Sequence, residues 1–227
     1  MKSEDWYRNE VWNPDIERNF HSKLSNARSQ RDQYLKIQIL CLTERHPHAA
    51  LGLGKFYFET RSDRSWDLDV KHATAKAHEQ LKDFDAALEA YREILKHECD
   101  KPFFPFMALL DAPYLIARKT LKSEFSFALE TLTRAELEFS KRGITHVVEQ
   151  FILHASHAII RNHSKQKPEA RDHAVVALKL AGVTDSGLRY HRKVGLVGPE
   201  YQKTILTLKS ITSGYPRIFL ELAAKFG

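Results

Sequence analysis

The sequence predicts an all-α protein built as an array of antiparallel helix pairs, and three observations carry that prediction. Only 9 glycines and 8 prolines are spread over 227 residues, too few for a chain of many short strands and tight turns. Apolar residues recur at steps of three and four rather than two, the period of a helix face. Four segments, HPHAALGLGKFYF, KDFDAALEAYREIL, SEFSFALETLTRAEL and KPEARDHAVVALKLA, align on Ala50, Ala87, Ala128 and Ala170 at separations of 37, 41 and 42 residues. That is the spacing of a repeated helix-turn-helix unit.

Residues 1–29 read as an N-terminal cap. Trp6, Tyr7 and Trp12 load it with rings that are expected to plug the open end of the helix stack. Asn13-Pro14-Asp15 opens the first helix: Asn13 caps, Pro14 takes the first helical position and Asp15 meets the positive end of the dipole. Ile16, Phe20, Leu24 and Ala27 then form one apolar face. Tyr34, Ile37, Ile39, Cys41 and Leu42 lie in a second helix, stopped by Arg45-His46-Pro47, and His48 to Phe58 form a third.

The stretch ATAKAHEQLKDFDAALEAYREIL resembles a tetratricopeptide repeat. Ala75 stands at the small position of the family's first helix, Phe84 follows the turn, and Ala87 and Tyr91 take the small and large positions of the second. Ala128, Leu132 and Ala135, and Ala170, Ala174 and Ala177, repeat the second-helix pattern more loosely. The sequence departs from the family where Lys82 replaces the turn glycine, and where Lys71 and His78 stand in place of its Trp and Tyr. The resemblance covers residues 30–182 as four degenerate helix pairs and implies a right-handed α-solenoid. Small residues at helix crossings support the pairing independently, because close approach requires them. Pairs of this kind bury their apolar faces by stacking on one another.

A basic connector, 183–199, follows the last repeat, and C-terminal helices occupy 200–227. One runs from Pro199 to about Ile211, and another carries Ile218, Leu222 and Phe226 at steps of four. No Ser-, Gly- or Pro-rich linker interrupts the chain, so 1–227 is expected to be a single helical-repeat domain with a C-terminal helical cap. The WYRNxxWN opening and the GxRYHxxVGLV segment also resemble a pairing in bacterial helical-repeat proteins of no assigned activity.

Catalytic signatures are sparse. No Gly-x-Ser-x-Gly elbow occurs, and Gly195-Leu-Val-Gly198 lacks the spacing and the Lys-Ser or Lys-Thr of a phosphate loop. Asp83 with Asp85, and Glu136 with Glu138, stand two apart on helices and diverge instead of forming an acid-base pair. His154-x-x-His157 shares a helix face and could ligate a metal, but no nearby third ligand stands out, although His163 and His173 are not far along the sequence. These two and His46 and His48 are read as partly exposed helix and turn histidines. The expectation is a non-enzymatic protein with no cofactor and no metal.

Binding is therefore the expected role. The net charge is +6, from 35 basic and 29 acidic residues, a modest excess that favours acidic partners. If the tetratricopeptide register holds, Leu35 and Ile39 of the first pair, His72 and Lys76 of the second, and Ile159, Asn162 and His163 of the fourth face a concave groove for a partner helix or for the chain's own C-terminal helix. The connector is expected to be anchored by Leu188, Val194 and Leu196 and to present Arg189, Tyr190, His191, Arg192 and Lys193 to a protein partner. The alternative is nucleic-acid binding through Arg189, Arg192, Lys193 and Lys203, with Tyr190 stacking on a base. No run of 18 apolar residues and no secretory leader is present, so a cytoplasmic protein without a membrane partner is expected. Cys41 and Cys99 are expected to be reduced and buried. The oligomeric state is not encoded in these features.

Overall fold

A computed structural model describes residues 5–97, 107–142 and 145–214, and all described secondary structure is helical. The order is α1 (Pro14–Asn26), α2 (Arg31–Leu42), α3 (Pro47–Thr60), α4 (Asp67–Gln80), α5 (Phe84–His97), α6 (Met107–Lys119), α7 (Phe125–Arg142), α8 (Val147–His163), α9 (Lys167–Ala181) and α10 (Gln202–Ser213), with short 3₁₀ turns before α7 and α10. The all-α prediction therefore holds. The chain packs as two compact units, Met1–Phe104 and Pro105–Gly227.

In the first unit, α2 pairs with α3 and α4 with α5, and α4 packs against both helices of the preceding pair. The Asn13 side chain accepts hydrogen bonds from the Asp15 and Ile16 N–H groups, both at 3.0 Å, so α1 starts where its cap and Pro14 place it. Phe20 and Leu24 are buried together with Leu35, Ile39, Leu42, Ala50, Leu53 and Tyr57. Trp6 and Trp12 close onto Phe20, each with ring centroids 5.6 Å away, and Tyr7 stacks on Tyr34 at 4.4 Å. The aromatic opening thus covers the end of the α1–α2 core.

One polar contact there is absent from any sequence pattern. Gln38 is fully buried on α2, and its amide nitrogen donates to the Asn9 carbonyl at 2.8 Å while its oxygen accepts from the Asn9 N–H at 3.0 Å. A buried amide must be satisfied, and the N-terminal segment satisfies it. Asp32 plays a similar part for the α3–α4 connection, accepting from the Ser62 N–H and hydroxyl at 2.7 Å each.

The second unit repeats the arrangement. Here α6 pairs with α7 and α8 with α9, α8 packs against both helices of the preceding pair, and α10 lies on α9 and α8. The four aligned alanines reveal the regularity across these pairs. Ala50, Ala87, Ala128 and Ala170 are each the fourth residue of the second helix of a pair, and all four are fully buried. A side chain no larger than a methyl at that level permits a neighbouring helix to approach closely.

Three of the pairs also share a turn. Lys82, Thr120 and Lys165 follow α4, α6 and α8 with φ of 62°, 56° and 64°. Each donates its N–H three residues back, and the next residue donates five residues back, which is a Schellman closure. Lys82 therefore adopts the left-handed conformation that suits glycine. Among the second-unit contacts, the Tyr114 and Thr204 hydroxyls meet at 2.6 Å and Tyr201 packs edge-on to Phe151 at 5.3 Å, docking α10. The segment carrying Ile218, Leu222 and Phe226 lies outside the described residues, as does Cys99. Cys41 is half-buried rather than enclosed, and burial pushes its thiol up. No described helix is long and apolar enough to cross a membrane.

Candidate functional site

Within each unit, the apolar positions expected to face the groove are buried. Leu35 and Ile39 are closed into the first unit's core, and Ile159 is buried in the second; apolar residues on a pair's inner face are consumed by packing between its own helices. His72 stands 5.9 Å from the Tyr91 ring, and the Lys76 ammonium is 3.3 Å from the Glu79 carboxylate that also accepts from the Tyr91 hydroxyl at 2.6 Å. These two side chains are half-buried parts of the α4–α5 contact. Asn162 accepts from the Lys167 ammonium at 2.7 Å across the α8–α9 turn, and His163 is exposed beside Phe125.

The basic connector is differently placed. Arg189, His191, Arg192 and Lys193 are exposed, Tyr190 is 79% exposed, and Lys203 is exposed on α10. Leu188 and Val194 are also exposed, at 43% and 51%, so neither anchors the loop; Leu196 is half-buried. The loop is held by its backbone instead. The Ser186 N–H donates to the Arg192 carbonyl at 2.8 Å, and the Val148 N–H at the start of α8 donates to the Gly195 carbonyl at 2.8 Å. Gly195 has φ of 73° and lies so close to His146 that a Cβ would stand 2.6 Å from its Nδ1. The Arg189 guanidinium lies over the Tyr190 ring at 5.2 Å, and Arg192 reaches Asp185 at 3.7 Å.

A second constellation is assembled only by the fold. His154, His157 and Arg161 lie along one face of α8, His173 faces them from α9, and Glu136 approaches from α7. The Nδ1 atoms of His154 and His173 are 2.9 Å apart, so one ring donates to the other. The rings of His157 and His173 stack at 4.5 Å with an interplanar angle of 16°. His157 is only 3% exposed, which corrects the reading of it as a partly exposed helix histidine. The Glu136 carboxylate lies 3.1 Å from its Nε2 but out of line for a hydrogen bond, so neither ring nitrogen has a hydrogen-bond partner among the described residues. The His154–His157 pair was legible as one helix face with His163 and His173 not far along the chain; the fold brings in His173, while His163 lies beside Phe125.

Burial, reinforced by the positive neighbours, pushes His157 down to about 3 and His173 to about 4. Burial lowers His154 as well and raises Glu136, against the pull of Arg161 on the latter. At neutral pH the rings are therefore uncharged. Neutral imidazoles are competent metal ligands, yet the nearly parallel, stacked His157 and His173 rings aim their in-plane lone pairs past one another. Among the described residues, no group of three or more His, Cys, Asp or Glu side chains is placed to hold a metal ion. A cleft of about 370 Å³ adjoins the cluster, lined by Glu136, Phe139, Ser140, Thr145, Gln150, Leu153 and His154. Comparison with protein-family models, with curated proteins and with solved structures finds no match to this chain.

Proposed function

We propose that this chain is a non-catalytic, tetratricopeptide-like scaffold, a right-handed array of helix pairs that binds a protein partner through the 186–198 loop. The supporting observation is the composition of that loop's exposed surface. Leu188, Tyr190 and Val194 leave apolar area in water beside Arg189, Arg192 and Lys193, while the backbone bonds to Ser186 and Val148 fix its shape. A preformed loop loses little entropy on binding, and Tyr and Arg concentrate binding energy where they are desolvated together. The complementary partner is a protein surface that is acidic and partly apolar. A cytoplasmic setting, which keeps Cys41 reduced, belongs to the same reading.

The test compares the full chain with a variant carrying Arg189→Ala, Arg192→Ala and Lys193→Ala as bait in parallel pull-downs. All three side chains are exposed, so stability should stay within roughly 0.5 kcal/mol, while a reproducible acidic protein captured by the wild type should be lost. If instead the wild type captures only nucleic acid, with affinity falling steeply as salt rises, the loop reads phosphates and the protein-scaffold reading is overturned. A variant that unfolds makes the loop structural and also overturns it.

A further inference from the structure

We propose that the histidine cluster between α8 and α9 is an acid-sensitive latch: proton uptake by His157 or His173 drives the two helices apart at their free ends and releases the 186–198 loop from α8. The proposal rests on that loop being the partner-facing element.

The geometry leaves little room for a proton. His157 is buried with both ring nitrogens lacking hydrogen-bond partners, and its face is covered by the His173 ring at 4.5 Å. Charging one ring places it against the other, and charging both sets two like charges in stacking contact. The charges around them come from every side. From α8 His154 and Arg161 act on both rings, from α9 Asp172 acts on His173, and from α7 Glu136 faces His157 Nε2. The Asp172 carboxylate gives His173 partial compensation, opposed by Arg161 and by desolvation, while burial holds Glu136 itself toward its neutral form. Of the other helices packed on α8, α6 carries Asp111 and Arg118, which act on Tyr201, and α10 carries Lys203 and Lys209.

The connectivity converts a local repulsion into a directed motion. Ser164, Lys165 and Gln166 join α8 to α9 at one end through the Schellman turn, so that end stays closed. The other end holds the start of α8 and the end of α9, and the loop is strung between them. It leaves α9 after Ala181 and returns to α8 through the Val148 N–H bond to Gly195. Separation of the free ends breaks that bond first.

Hydrogen exchange of the full chain at pH 7.5 and pH 5.0, corrected for intrinsic exchange rates, tests the latch. An imidazole that titrates near 6.5 when exposed and stays neutral while the latch is closed makes opening roughly 30-fold more favourable at pH 5.0. Amides of 145–150 and 186–198 should therefore lose protection by roughly 30-fold or more, while those of α2 to α5 change little. His173→Asn, at a half-buried position where the amide still reaches His154, should reduce the loss several-fold, and His157→Phe should do the same with the core kept apolar. Equal loss in wild type and His173→Asn, loss spread evenly through α2 to α5, or no loss in the wild type overturns the latch. This readout needs no partner, so a failed latch leaves the binding role standing, and loss of the binding role leaves the exchange result standing.

Discussion

Lys82, Thr120 and Lys165 hold the left-handed conformation at three helix-pair turns, and each carries a side chain that this conformation penalises. The penalty is about 1 kcal/mol or more for an ordinary L-residue, and β-branched Thr120 suffers most. Thr120→Gly should therefore raise stability by about 1 kcal/mol in urea denaturation, with Lys82→Gly and Lys165→Gly smaller gains, because glycine's extra freedom in the unfolded chain offsets part of the relief. An unchanged or lower midpoint in the Thr120 variant would show that the side chain makes compensating contacts. Gly195 is the reverse case. Its φ of 73° penalises a Cβ and its contact with His146 leaves no room for one, whereas Gly187, with φ of 76°, faces open space. Gly195→Ala should cost about 1–3 kcal/mol locally and expose the Val148 amide to exchange, with Gly187→Ala milder on both measures.

The second helix of each pair carries a fully buried alanine as its fourth residue. Enlarging that residue forces the backbones apart, so Ala87→Leu should destabilise by about 1–3 kcal/mol. Val175→Ala, on the exposed side of α9, should stay within about 0.5 kcal/mol; comparable losses at both positions would refute the close-approach account. The α8–α9 pair adds a pH dependence with a definite sign. His157 and His173 titrate lower in the folded protein, about 3 and 4 against 6.5, so the unfolded chain binds protons first. Their contribution is complete above about pH 6.5 and is lost as the pH falls toward about 4 for His173 and about 3 for His157, at up to roughly 1.4 kcal/mol per pH unit for each ring. Thermal melts from pH 7.5 to 4.5 should fall more steeply for the wild type than for His157→Phe.

At the scale of the whole chain, the first unit encloses its own core from Phe20 to Ala77, with the aromatic opening packed against it. Residues 1–104 produced alone should therefore melt cooperatively with helical circular dichroism; a non-cooperative melt would show that this core depends on the rest of the chain. The helix pairs themselves were legible in the sequence because periodicity, caps and small residues are local signals. Asn13-Pro14-Asp15 announced α1, and the four aligned alanines fall at the same, fully buried position of α3, α5, α7 and α9. The expected groove was not legible in the same way: Leu35, Ile39 and Ile159 have the spacing of an inner face, but spacing does not distinguish a face left open from one closed by its neighbour. The loop anchors failed for a related reason. Leu188 and Val194 are apolar, yet the loop's shape is fixed by backbone hydrogen bonds that no side-chain pattern encodes.

The sequence by itself carried the helical class, the start of α1, the common spacing of Ala50, Ala87, Ala128 and Ala170, and the basic character of 189–193. These depend on chemistry within a few residues of one another. Only the tertiary structure decided that Gln38 would be satisfied by Asn9, that Gly195 would close against His146, and that His154, His157, His173 and Glu136 would meet. Those contacts join separate segments, and the forces acting there, desolvation and like charges at short range, depend on distances that the order of residues does not specify.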